Sequence, residues 1–169
     1  MKGVPAVGTG ADATSSTSGA MQLSHNLGAG FVVQKCEECY VDVAHSEACM
    51  VHMRDLLTSW CGSSKTTGSE NESECEEPAD LVLILGGCGL RDTDIVPEVV
   101  EPLLHREASG LAMALTLADD SGLARAVAGI RNQTLLVTLP CWPAAHKSWR
   151  AINVALPQLF SCLREKKQK

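Results

Sequence analysis

Leu81-Val82-Leu83-Ile84-Leu85 is an unbroken apolar run that passes directly into Gly86-Gly87-Cys88-Gly89. A strand that is apolar at every position has no face to give to water, so it belongs in a sheet covered on both sides, the usual setting of a parallel sheet. The glycines permit a sharp turn and let backbone N–H groups approach a ligand with no side chain in the way. After Asp94, the apolar residues Val99, Val100, Leu103 and Leu104 continue at helical spacing. Pro97 in the first turn with Glu98 behind it is what a helix start favours. Strand, glycine turn and helix in that order set a positive helix end beside the turn, which suits phosphate.

The rest of the chain punctuates in the same way. Val4 to Val7 predicts a short first strand, interrupted by Pro5, and Phe31-Val32-Val33 with Tyr40-Val41-Asp42-Val43 predicts one or two more. Ser46 can cap a helix in which Met50, Met53, Leu56, Leu57 and Trp60 recur at helical spacing, with Gly62 as its stop. Residues 62–79 hold no large apolar side chain and many acids, so a solvated, mobile loop is expected there. A second helix is expected from about Ser109 to Leu117, and a second buried strand over Thr134–Leu139, stopped by Pro140. Ala144 to Arg164 reads as a terminal helix that Pro157 must kink or break. Strands alternating with helices predict an α/β fold of three layers, α/β/α, with a mainly parallel sheet. Ligands of such sheets bind outside the carboxyl ends of the strands, so the turns after Leu85 and Leu139 are the places for chemistry.

A chain of 169 residues is the length of one domain with one core, and 45% hydrophobic with 20% charged residues is ordinary globular composition. Residues 1–169 are therefore expected to form one domain. No apolar run approaches the roughly 18 residues of a spanning helix. The first thirty residues hold Lys2 but no Arg and no continuous apolar stretch, so neither a secretory signal nor an Arg-rich transit peptide is expected, and the cytosol is the expected compartment. A net charge of −6 argues against a nucleic-acid partner but leaves a small phosphorylated ligand open. In that compartment the eight cysteines are expected to be reduced thiols.

Each motif carries a plain reading beside the functional one. A glycine turn after a strand is as often a structural reversal as a ligand cradle. Asp94 can recruit Mg²⁺ beside such a cradle or cap the following helix, and both roles can hold together. Cys36-x-x-Cys39 with His45, Cys49 and His52 invites a zinc reading, but no second tight pair closes the site, and structural thiols fit better. Met50 and Met53 suit a core. Trp142 and Trp149 can stack a flat ring or simply pack, and the basic terminus Arg164 to Lys169 suits a solvated helix end.

Residues 86–98, Gly86-Gly87-Cys88-Gly89-Leu90-Arg91-Asp92-Thr93-Asp94-Ile95-Val96-Pro97-Glu98, resemble the signature of the molybdopterin-binding family: Gly-Gly-Thr-Gly, four variable residues, Asp, two variable residues, Pro-Glu. Arg106-Glu107-Ala108-Ser109-Gly110-Leu111 is similar to that family's Arg-Glu-Ala-Pro-Gly-Met, and residues 123–131 to its Leu-Ser-Arg stretch leading into Gly-Ile-Arg. Ser18-Gly19 resembles the end of its Asp-x-Ser-Gly, with Asp12 as a remnant of the first turn. The family includes molybdopterin adenylyltransferases and the gephyrin G domain. The resemblance implies Mg-ATP-dependent adenylylation of molybdopterin in molybdenum cofactor biosynthesis, in a homotrimer. Carried over by position, it implies that Gly86, Gly87, Cys88, Gly89, Ser18, Gly19 and Pro140 bind the ligand. It further implies that Asp94 is the catalytic carboxylate that organises Mg²⁺ and that Glu98 supports its turn.

The departures are specific. Cys88 stands for the family's Thr, Ala124 for the Ser of Leu-Ser-Arg, and Pro140-Cys141-Trp142-Pro143 for a Pro-Gly-Ser turn. The family's Val-Pro-Asp is not in place, Asp42 and Glu47 being the only near candidates. Two classes of function follow: an adenylyltransferase, weakened or not, and a catalytically degenerate member kept as a binding or assembly module.

Overall fold

The computed structural model describes residues 6–9, 35–39, 46–62, 77–141 and 143–165. Six strands among them form one sheet. They are β1 (Ala6–Thr9), β2 (Cys36–Cys39), β3 (Leu81–Leu85), β4 (Arg106–Glu107), β5 (Ala128–Arg131) and β6 (Thr134–Leu139), in the order β2-β1-β3-β6-β5-β4. The first four in that order run parallel, and β5 and β4 close the sheet antiparallel. The helices are α1 (Ser46–Trp60), α2 (Val96–Val100), α3 (Ser109–Ala118), α4 (Ala144–Asn153) and α5 (Leu156–Glu165).

Alternation along β3 and β6 sorts the core into two halves, because successive side chains of a strand leave on opposite faces. Leu81, Leu83, Leu85, Leu135, Val137 and Leu139 face α3, α4 and α5, meeting Leu115, Trp149, Ile152 and Phe160. Val82, Ile84 and Leu136 face the other way, onto Met53, Leu57 and Trp60 of α1 and Val96, Val99 and Val100 of α2. All five side chains of β3 are buried, each contributing about 1.5–3 kcal/mol relative to exposure. Helices on both faces of the sheet make the three expected layers. Two buried hydroxyls are satisfied: Thr134 Oγ1 donates to the Ala79 carbonyl (2.7 Å), and Thr138 Oγ1 accepts from the Val127 N–H (2.8 Å).

Several expectations shift. The first strand runs on to Thr9, beyond the expected end at Val7, and is described from Ala6, Val4 and Pro5 lying outside the described residues. β2 takes the charged Cys36–Cys39 between the two apolar segments read as strands, which lie at 31–33 and 40–43, outside the described residues. The helix after Asp94 is α-helical only to Val100 and tightens to a 3-10 turn over Glu101–Leu103, because Pro102 has no N–H to continue the ladder. The terminal helix breaks at Val154 and Ala155, leaving Pro157 in the first turn of α5, where its missing N–H costs nothing. Of the acidic loop, residues 63–76 lie outside the described residues, but its ends are packed. The Gly62 carbonyl accepts from Asn132 Nδ2 (2.7 Å), Ala79 is buried, and the Ala79 N–H donates to the Trp60 carbonyl (3.0 Å).

Candidate functional site

Leu85 and Leu139 are register partners on adjacent parallel strands, so the turns that follow them lie side by side at the carboxyl edge. Gly86 and Gly87 both have positive φ, 82° and 63°, a pair of conformations that side chains strongly disfavour. The Gly86 N–H donates to the Leu139 carbonyl (2.8 Å), and the Gly87 carbonyl accepts from the Val96 N–H (3.0 Å), tying the turn to β6 and to α2. Gly89 is needed for space: a Cβ there would stand 2.6 Å from Asp94 Oδ2. That oxygen accepts from the Arg91 N–H (2.9 Å), while the Asp94 N–H donates to the Arg91 carbonyl (2.9 Å). Asp94 therefore closes its own loop backwards. It does not cap α2, whose N-cap position is Ile95 with no side-chain cap.

Arg125 holds this turn from across the fold. Its N–H donates to the Cys88 carbonyl (2.7 Å) and its Nε to the Gly89 carbonyl (2.8 Å). The guanidinium also donates to the Asp94 carbonyl and pairs with Glu98. Partial burial pushes the Glu98 carboxyl up, but the Arg125 hydrogen bond, its own backbone N–H and the Arg125 charge together hold it below the usual range. Both partners are well exposed, so the pair serves geometry more than stability.

A third segment completes the wall. Asp119, just past α3, accepts from the Ser121 hydroxyl (2.6 Å) and from the N–H groups of Leu123 (3.2 Å) and Ala124 (3.1 Å). The Ser121 hydroxyl bond first, and then the backbone N–H bonds, lower the Asp119 carboxyl against the push of burial. The two carboxylates thus differ. Asp119 is committed to its own loop, whereas Asp94 Oδ1 accepts no hydrogen bond among the described residues.

These turns enclose a cavity of about 270 Å³ whose charged lining residues are Arg91, Asp94 and Asp119. Among the described residues Arg91 makes no ion pair, and the N–H groups of Gly87 and Gly89 have no protein acceptor. Cys88 is buried in the wall. Burial, then the proximity of Cys141 and Asp94, pushes its thiol up to about 12, so it is uncharged at neutral pH.

The cavity brings together Gly86, Gly87, Cys88, Gly89, Asp94 and Pro140. Glu98 is not in its lining and acts on it through Arg125. Ser18, Gly19, Asp12, Asp42, His45 and Trp142 lie outside the described residues. Trp149 is buried in the core, the packing alternative. Cys36 is exposed and Cys39 buried on one strand, and no group of three metal-ligating side chains occurs among the described residues. Sequence reasoning assigned no role to Arg91, Asp119, Ser121 or Arg125. The run Asp119-Asp120-Ser121-Gly122 right after a helix was the available signal for an ordered turn, but not for what it faces.

Residues 65–159 match a protein family described as "Probable molybdopterin binding domain". The chain is 42% identical over 92 residues to gephyrin of Dictyostelium discoideum, a match covering 51% of this chain and 13% of gephyrin. It is 33% identical over 90 residues to molybdenum cofactor biosynthesis protein B of Escherichia coli K12, covering 49% of this chain and 52% of that protein. The matches thus span about half or less of these curated relatives. The molybdopterin biosynthesis enzyme MoaB of Thermus thermophilus has a similar structure, with a TM-score of 0.73 at 26% identity over 96% of both chains.

Proposed function

The chain belongs to the molybdopterin-binding domain family, and from that premise we propose that it acts in molybdenum cofactor biosynthesis by adenylylating molybdopterin with Mg-ATP. In this reading the phosphate of molybdopterin attacks the α-phosphate of ATP, and adenylyl-molybdopterin and pyrophosphate leave. The observation that carries it is the pairing of unclaimed Gly87 and Gly89 N–H groups with Asp94 in one cavity. The N–H groups hold a phosphate, and Arg91 adds a cation at the rim.

Asp94 fits a Mg²⁺ role because one of its oxygens is anchored by Arg91 and the other is uncommitted among the described residues. Mg²⁺ is commonly held by one or two carboxylates together with substrate phosphates, so no larger protein cage is required. What the bound ion supplies is charge neutralisation on the phosphates. Arg125 and Glu98 keep Asp94 and the glycine turn in register. Ser18 and Gly19 belong to the proposed ligand site by resemblance alone.

The second reading, a binding or assembly module, is favoured by Cys141 in the cavity lining, where the family carries glycine. Incubation with molybdopterin and MgATP, read for adenylylated product and pyrophosphate, separates the two. Binding without product selects the module, and affinity for neither ligand removes both ligand-based readings. Homotrimeric assembly and a cytoplasmic location complete the proposal. Exposed Met113 and Leu117 on α3 support the assembly by leaving apolar side chains uncovered. Among the described residues no helix is long and apolar enough to cross a membrane.

A further inference from the structure

We propose that Cys88 and Cys141 form an oxidation site whose disulfide closes the cavity. The two thiols sit in the two turns that leave adjacent parallel strands: Leu85 pairs with Leu139, and Gly86 is hydrogen-bonded to Leu139. Cys88 lies three residues beyond Leu85 and Cys141 two beyond Leu139, and both line the one cavity. Cys88 is buried and Cys141 exposed.

Exposure assigns the steps. A peroxide oxidises Cys141: its thiol and H₂O₂ give a sulfenic acid and one water. The Cys88 sulfur then attacks the sulfenic sulfur, forming the S–S bond and releasing a second water, while the thiol proton leaves with the hydroxyl. Two thiols and one peroxide thus become one disulfide and two waters, the thiols being oxidised and the peroxide reduced. Because Cys88 is a protonated, buried thiol, the second step is slow at neutral pH and quickens as pH rises. A disulfide draws its two Cβ atoms to about 3.8 Å, so the Pro140-Cys141 turn is pulled onto the glycine turn across the cavity.

The test uses the full chain, reduced, desalted and treated with hydrogen peroxide at pH 7 and pH 9. Non-reducing peptide mapping should find the Cys88–Cys141 link, forming faster at pH 9 and removed by dithiothreitol. Cys141→Ser, at an exposed position, should fold normally and show no such link. Cross-linking of Cys141 to another cysteine, or its conversion to sulfinic acid with Cys88 still free, overturns the proposal. The effect on ligand rests on the function proposed above: affinity for MgATP should fall by about tenfold or more on oxidation and return on reduction. A mapped link with no MgATP binding in the reduced protein sinks that function while leaving the oxidation site standing.

Discussion

Arg125 Nε donates to the Gly89 carbonyl at 2.8 Å across 36 residues of sequence, and the same guanidinium reaches the Asp94 carbonyl and Glu98. One side chain thereby fixes the start and the end of the Gly89–Asp94 loop. Arg125→Ala should cost about 1.5–3 kcal/mol in urea unfolding, the range for hydrogen bonds to a charged group. Arg125→Lys should recover only part, since an ammonium cannot reproduce the planar fork. Glu98→Gln should cost less than about 1 kcal/mol because the ion pair is exposed. Equal losses for Arg125→Ala and Glu98→Gln would mean that the pair, not the carbonyl contacts, holds the loop.

Replacing residues 63–76 by a short Gly-Ser linker should change stability by less than about 1 kcal/mol, since loop length enters only logarithmically. The ends can be joined, because the Ala79 N–H donates to the Trp60 carbonyl at 3.0 Å. Thr134→Val, which strips the Ala79 carbonyl of its 2.7 Å donor, should cost about 1–3 kcal/mol. A large loss from the linker replacement would show that residues 63–76 pack.

Cys88 and Cys61 make stability fall on the alkaline side. Burial, their first cause, raises the folded thiols from 9.0 to about 12 and about 11. Below pH 9 both states hold these protons and stability is complete. As pH rises above 9 the unfolded thiols ionise while the folded ones do not, so unfolding releases protons and becomes easier. Denaturant titrations from about pH 8 to about pH 10.5 should show this slope, and Cys88→Ala should reduce it while leaving the part that Cys61 contributes. An unchanged slope in the variant would contradict the buried-thiol assignment.

The elements that sequence reasoning read well are those whose pattern is local. β3 and β6 are apolar at nearly every position, and α1 announces itself by Met53, Leu57 and Trp60 and stops before Gly62 at φ 73°. β2 was missed because its Glu-rich sequence reads as solvent-facing, and it is held by pairing with β1. The glycines and Asp94 were legible because their spacing is contiguous. The role of Arg125 was not, since its partners at Gly89, Asp94 and Glu98 are brought to it only by the fold. Asp119 was hidden for a related reason: its loop is a plain turn in sequence, and only the arrangement of strand ends sets it on the cavity.

The most direct measurement is product formation by Asp94→Asn at saturating MgATP, alongside molybdopterin binding to the same variant. Asparagine keeps the size of the side chain and can still accept from the Arg91 N–H, but it lacks the charge that the proposed Mg²⁺ role requires. Folding should survive and molybdopterin affinity should change little, because the proposed phosphate site is built from the glycine N–H groups and not from the Asp94 carboxylate. Adenylylation should fall by about two orders of magnitude or more. Equal turnover in parent and variant would remove Asp94 from the mechanism, and unfolding of the variant would reduce it to a structural brace of its loop.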